Sequence, residues 1–372
     1  MRRFLFILLL SIIVVSAACL GSENGGGTTP SPSTATNSQA GTTTSQEPTT
    51  WDMEIVWNLS TSGIPFMDLS PDGSLSAVID WDDAYLYLVR PDGESVSFDL
   101  QGHDAVKPVV SGVVVKDDKA YVLAGYAEFA GLRIYSWGGQ TGEERHGWAG
   151  SVADWIARSS SGNHLCYLIT TGATRQELYC DGVKTVLENA GDYGMVGVSD
   201  TGLVAVGDSK KGVLLFKNGS KILTLNPESH MVVLYGDRII GGFEGKLKVL
   251  DLEGNTLAES EKYDLRWMSL IIPTVRATKD YIIWTDEYSG THVLDWNLRE
   301  VKSLPGLMRF ANENFVVTEK EGVIHCYSLR DFHEVFSVEA PVESMGYVEL
   351  SEDGRVMLVS GEYGDFWLYT SG

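Results

Sequence analysis

The chain has 372 residues, with 50 Asp and Glu against 28 Lys and Arg, for a formal net charge of −22. An acidic excess of this size argues against the Lys- and Arg-lined surfaces that grip a nucleic-acid backbone or an anionic lipid headgroup. It remains compatible with soluble exposure, cation binding or a basic partner.

The first predicted element is an export signal. Arg2 and Arg3 precede an apolar run over residues 4–18, which ends in Ser16-Ala17-Ala18 just before Cys19. The run is shorter than the ~20 residues of a membrane span, so it is expected to be cleaved. Small residues followed by cysteine resemble the prokaryotic lipobox, in which the new N-terminal cysteine is lipidated; Ser16 stands where that pattern prefers Leu. The alternative is a plain signal peptide. Residues 19–50 hold Gly, Ser, Thr and Pro, with Glu23 and Glu47 as their only charges. They cannot bury enough apolar surface to fold, and read as a tether after the signal peptide of residues 1–18.

From Trp51 onward, short Val/Ile/Leu/Tyr-rich runs alternate with Gly/Asp/Asn turns, the pattern of an all-β domain over residues 51–372. Met53, Ile55, Trp57 and Leu59 alternate with Glu54, Val56 and Asn58, as in a strand buried on one side. The best-defined unit follows. Strands are predicted over 65–69, 74–79, 85–89 and 94–100, with turns at Ser70-Pro71-Asp72-Gly73 and Arg90-Pro91-Asp92-Gly93 and a loop at 80–84. Asp-Gly and Asn-Gly suit the positive φ angles of tight hairpins.

The first turn of that unit recurs as Lys116-Asp117-Asp118-Lys119, Ser160-Ser161-Gly162-Asn163, Ser199-Asp200-Thr201-Gly202, Tyr235-Gly236-Asp237, Thr278-Lys279-Asp280, Ala311-Asn312-Glu313-Asn314 and Ser351-Glu352-Asp353-Gly354. The step is about 40 residues, the size of a four-stranded propeller blade. The last unit reaches only three strands, and Met53–Leu59 can supply the fourth by pairing near Phe366 to Tyr369. The expected fold is therefore an eight-bladed β-propeller closed by its N-terminal strand, or a seven-bladed one if a weak unit is an insertion.

Tyr135-Ser136-Trp137-Gly138-Gly139-Gln140-Thr141-Gly142-Glu143 and Val249-Leu250-Asp251-Leu252-Glu253-Gly254-Asn255 resemble the strand-turn part of PQQ-like propeller repeats. Ser70-Pro71-Asp72-Gly73 and Ser351-Glu352-Asp353-Gly354 are similar to the turn of WD40-like repeats, as Gly102-His103 with Trp137 is to a WD40 blade. This resemblance spans roughly Trp51 to the end and implies a fold, not an activity. In architecture alone, an eight-bladed PQQ-like lipoprotein resembles the propeller lipoprotein of bacterial outer-membrane assembly.

Chemistry-bearing motifs are sparse. The histidines, at 103, 146, 164, 230, 292, 325 and 333, show no zinc-site spacing, and Gly197-Val198-Ser199-Asp200-Thr201 falls on a repeat turn rather than a nucleophile elbow. Cys166 and Cys180 are equidistant from Ala173 in the turn between two strands, so a simple hairpin pairs them as a disulfide; free buried thiols are the alternative. Cys326 reads as a small buried hydrophobe. No cofactor is expected, although calcium is conceivable at the oxygen-rich clusters Asp80/Asp82/Asp83, Asp117/Asp118 and Asp286/Glu287. Asn58 and Asn218 begin glycosylation sequons.

In a propeller, the loops joining second and third strands gather on one face with the connections between blades. Here they bring Trp81, Asp82 and Asp83; Tyr126, Glu128 and Phe129; Phe243; Asp286, Glu287 and Tyr288; and Tyr363. Aromatics beside carboxylates suit a protein or glycan partner. The expectation is a monomeric, lipid-tethered extracytoplasmic binding or assembly module. The competing class is an enzyme with an axial site, a hydrolase, lyase or quinone-dependent dehydrogenase.

Overall fold

The computed structural model describes residues 50–101, 106–148, 151–191, 194–227, 232–260, 275–286 and 290–372. Cys19 with its tether, His103, His230, Glu287, Tyr288 and the Asp286 side chain lie outside what is described. The described strands form eight four-stranded antiparallel sheets arranged as an eight-bladed propeller. Blades 1 to 7 span residues 66–99, 109–146, 152–188, 194–225, 233–260, 275–304 and 307–339. Blade 8 combines residues 345–371 with the N-terminal strand Met53–Leu59.

Each blade is too thin to bury both faces by itself, so its core lies at the seam with the next. The buried side chains fall into clusters that each straddle one seam, for example Ile79, Leu86 and Leu88 of blade 1 against Val113, Val115 and Val122 of blade 2. Leu69, Val78 and Val89 of blade 1 meet Leu358, Phe366 and Leu368 of blade 8 in the same way.

Ring closure is as the sequence implied. Met53–Leu59 runs antiparallel to Gly364–Ser371, with Leu59 opposite Phe366 and Ile55 opposite Tyr369. The register shifts between Ile55 and Trp57, which breaks the expected alternation. A bulge adds one residue to one strand and turns the following side chains over. Ile55 is consequently exposed, while Val56, Trp57 and Leu59 pack on the seam with blade 1. The entry point is fixed by Trp51, whose N–H donates to Val335 O at 2.9 Å and whose ring meets Phe315 edge-on at 6.0 Å. Gly354, at φ 76°, permits this approach, because a Cβ there would stand 2.7 Å from Trp51.

The repeated first turn has a common hydrogen-bond pattern. In blades 1, 3, 4 and 8 its opening serine accepts from the backbone N–H four or five residues on: Ser70 Oγ from Leu75, Ser159 Oγ from His164, Ser199 Oγ from Leu203 and Ser351 Oγ from Val356. Thr278 and Asn312 stand in for it in blades 6 and 7. Neighbouring turns are tied together, as when Ser161 N donates to Asp200 at 3.0 Å and Asn312 Nδ2 to Ser351 O at 3.1 Å. Cys166 and Cys180 face each other across adjacent strands, Cα atoms 4.1 Å apart, and are joined as a disulfide; Cys326 is free and buried.

Candidate functional site

The two faces and the axis differ in chemistry. The upper face carries the loops between second and third strands and the connections between blades; the lower face carries the first turns and the outer turns.

On the upper face, the link from the closing strand into blade 1 brings Trp81, Asp82 and Tyr363 together. Gly63 N donates to Tyr363 O at 2.9 Å, and a Cβ on Gly63 would lie 3.1 Å from the Trp81 ring. Gly63 sits at φ 107°, so glycine is required there for conformation as well as space. Asp82 accepts from Ser62 Oγ, and Lys107 Nζ stands 5.4 Å from the Trp81 ring centroid. Tyr363 is 73% exposed, Trp81 is half-buried, and Asp82, Asp83 and Glu128 are exposed.

The other aromatics expected on this face belong to the interior. Tyr126, Phe129 and Phe243 are buried. Tyr126 N donates to Phe129 O at 2.7 Å, which folds the loop back on itself and stacks the two rings at 4.7 Å. Arg133 and Arg145 cover these rings at 3.9 and 4.7 Å. In their place the upper face exposes Val106, Val109, Trp148 and Val152. Val109 and Val152 open the inner strands of neighbouring blades, and Trp148 lies in the connection between them. The sequence offered little to find them by, since an exposed Val at a strand start looks like a core Val.

The acidic clusters serve the loops. Asp80 is buried, and its Oδ1 accepts from the N–H groups of Asp82 and Asp83 at 3.1 and 3.3 Å; Asp208 makes the equivalent turn with Lys210 and Lys211. Asp117 pairs with Lys116 at 3.0 Å. Among the described residues, no three His, Cys, Asp or Glu converge as a metal site. Asn58 and Asn218 are both exposed, Asn218 in its turn at φ 51°.

The axis holds charges that no sequence motif connects. Two positions before the capping residue of the first turn, the inner strands place Asp68, Arg276, Phe310 and Glu349 at one height. Arg158, one position later in blade 3, forks onto Asp68 with Nε–Oδ2 at 2.8 Å and Nη2–Oδ1 at 3.0 Å, and also donates to Leu69 O at 2.6 Å. Val115 N of blade 2 completes the Asp68 carboxylate at 2.5 Å. Burial first, and then the Asp68 charge, push Glu349 up to about 8 against the opposing pull of Arg158 and Arg276. Burial also lowers Arg276 to about 10, and its Nε and Nη1 have no partner among the described residues.

Below this layer, a cavity of about 40 Å³ is walled by Arg158, Ser160, Phe310, Asn312, Glu349 and Glu352, with Leu69, Pro71, Ala311 and Leu350. It has room for a few water-sized groups rather than an organic substrate. Around its mouth, the first turns of seven of the eight blades carry acids: Asp72, Asp117 and Asp118, Asp200, Asp237, Asp280, Glu313, and Glu352 with Asp353. Higher on the axis, Asp154 sits where the strand register shifts between Ala153 and Trp155 and accepts from Thr170 Oγ1 at 2.6 Å. Burial pushes its carboxyl up to about 7.

The chain is 56% identical over 322 residues to an uncharacterized protein of Archaeoglobus fulgidus, a match covering 86% of this chain and 90% of that one. The chain belongs to that protein's family. No protein-family model matches it. Among solved structures, it is similar to the computationally designed protein Ika8, with a TM-score of 0.61 at 12% identity over 85% of this chain and 99% of that one. It is also similar to the C-terminal WD40 domain of Sif2, with a TM-score of 0.59 at 10% identity over 87% and 99% of the two chains. At these identities the likeness shows a shared propeller fold and nothing of activity.

Proposed function

We propose that the protein is a binding module, lipid-tethered outside the cell membrane, that engages a protein or glycan partner through its upper face. The observation that carries this reading is, among the described residues, the pairing of an axis crossed by a buried ion pair with exposed apolar and aromatic side chains on the upper surface. The Asp68–Arg158 pair crosses the inner strands, and the cavity below it holds only about 40 Å³. Tyr363, Trp148 and Val152 meanwhile stand out into solvent. Exposed aromatic and aliphatic side chains on a rigid scaffold are what interface hot spots are made from.

The tethered location draws support from the signal and small-residue site before Cys19 and from the Cys166–Cys180 disulfide, which suits an oxidising compartment. A tether of 50 − 19 = 31 residues would reach on the order of 30 Å. Trp51 packs against Gly354 of a first turn, so a tether ending at residue 50 would join the propeller on the lower side, away from the upper face.

The test compares partner and glycan capture from solubilised envelope by the wild-type protein and by a Trp81→Ala, Trp148→Ala, Tyr363→Ala variant. Loss of specific partners by a variant that still melts like wild type is the expected result. Equal capture by both would remove this face from the function.

A further inference from the structure

The lower axial mouth has features that the upper-face reading leaves unused. Among the described residues, none of the exposed large hydrophobics lies in a first turn. These turns carry nine carboxylates against three lysines, Lys116, Lys119 and Lys279, with Asp117 paired to Lys116 and Asp237 to Lys217, so the rim is negative on balance. At its centre, Glu349 and Glu352 line the cavity, as does Ser160, whose Oγ is buried with no partner among the described residues. The positive wall group, Arg158, has its charge matched by Asp68 at 2.8 Å and its remaining donors spent on the carbonyls of Leu69, Ser159 and Ser160. Arg276, whose charge acts on Glu349, does not line the cavity. The opening therefore presents the Glu352 carboxylate beside a Glu349 carboxyl that keeps its proton at neutral pH and gives it up as a cation enters, inside a rim where the field of a chain at −22 concentrates cations.

We propose that this mouth docks a lysine-rich segment of a partner protein, with one lysine ammonium entering the cavity between Glu349, Glu352 and Ser160. The size of the cavity selects the cation. About 40 Å³ accommodates a compact ammonium with a water or a methylene. An ammonium is a compact point charge that a few converging oxygens can match, whereas a guanidinium spreads five donors over a rigid planar fork. The ring of turn carboxylates steers the rest of the segment and makes the association salt-dependent. This site is separate from the upper-face patch, so either can fail without the other.

The experiment titrates the folded protein with octalysine, octaarginine and spermidine at low and at physiological salt. It includes a Glu352→Gln variant, a Glu349→Gln/Glu352→Gln variant, and an upper-face control, Asp83→Asn/Glu128→Gln. Octalysine is expected to bind more tightly than octaarginine. Glu352→Gln is expected to weaken it on the order of tenfold, the double variant further, and the control to leave it unchanged. Because Glu352 sits at the mouth, its single substitution gives the answer even if the Glu349 change disturbs folding. Absence of octalysine binding at low salt, equal binding of the two peptides with no effect of Glu352→Gln, or spermidine binding as tightly as octalysine would each overturn the proposal.

Discussion

Replacing Arg158 with Met should be among the most damaging single changes in the chain. Arg158 and Asp68 have side chains only 7% and 11% exposed, and their fork at 2.8 and 3.0 Å joins blade 3 to blade 1 over the Val115 N–H of blade 2. Met fills much of the same volume but leaves Asp68 desolvated with one donor and Leu69 O without its 2.6 Å bond. Orphaning one member of a buried pair costs about 3–5 kcal/mol. In a domain of this size that lowers the melting temperature by roughly 2 °C per kcal/mol, or about 6–10 °C in all. Asp68→Asn should cost a similar amount, because it strands the guanidinium. The double variant keeps an acceptor for Val115 and buries no charge, so it should recover part of the loss, with a coupling energy of about 2 kcal/mol. Urea unfolding of the four proteins measures the cycle. Single costs below about 1 kcal/mol, or a double variant as unstable as the sum of the singles, would show that the pair does not clamp blades 1 and 3 together.

Deleting residues 51–60 should expose the Gly364–Ser371 edge together with the apolar seam of blade 8, giving a sharp fall in melting temperature and concentration-dependent association by light scattering. Replacing both Cys166 and Cys180 with Ala opens a covalent link between residues 14 apart and should cost about 2–3 kcal/mol, while a non-reducing peptide map should recover the pair joined. Asp154, Glu313 and Glu349 are raised by burial to about 7, 7 and 8, so the folded protein holds protons there that the unfolded chain has released. Stability should therefore fall as pH rises from the ordinary carboxylate range through about 8 and level off above it; Asp154→Asn with Glu349→Gln should flatten that slope in melting curves taken from pH 5 to 9.

The blades were legible because each is a local object. Ser70-Pro71-Asp72-Gly73 encodes its own turn through the Ser70 hydroxyl and a glycine at φ 73°, and the repeat of such turns carries the count of eight. Closure was legible because the last unit lacked a strand that Met53–Leu59 could supply; only its bulge at Ile55/Trp57 escaped, since alternation in sequence does not reveal an inserted residue. The axis was not legible. Asp68 and Arg158 lie 90 residues apart, and Glu349 and Arg276 carry no motif beyond a shared position two before the turn cap. The upper face was half legible. Loop position placed Trp81 and Tyr363 correctly, yet could not show that Tyr126 and Phe129 stack inward beneath Arg133 and Arg145.

The upper-face reading is tested most directly by placing a photo-crosslinking amino acid at position 363, at position 148 and, on the lower face, at position 218, in the full chain in its native envelope. The account predicts a discrete cross-linked partner from positions 363 and 148 that is not captured from 218. The same partner captured equally from 218, or capture from 218 alone, would contradict it.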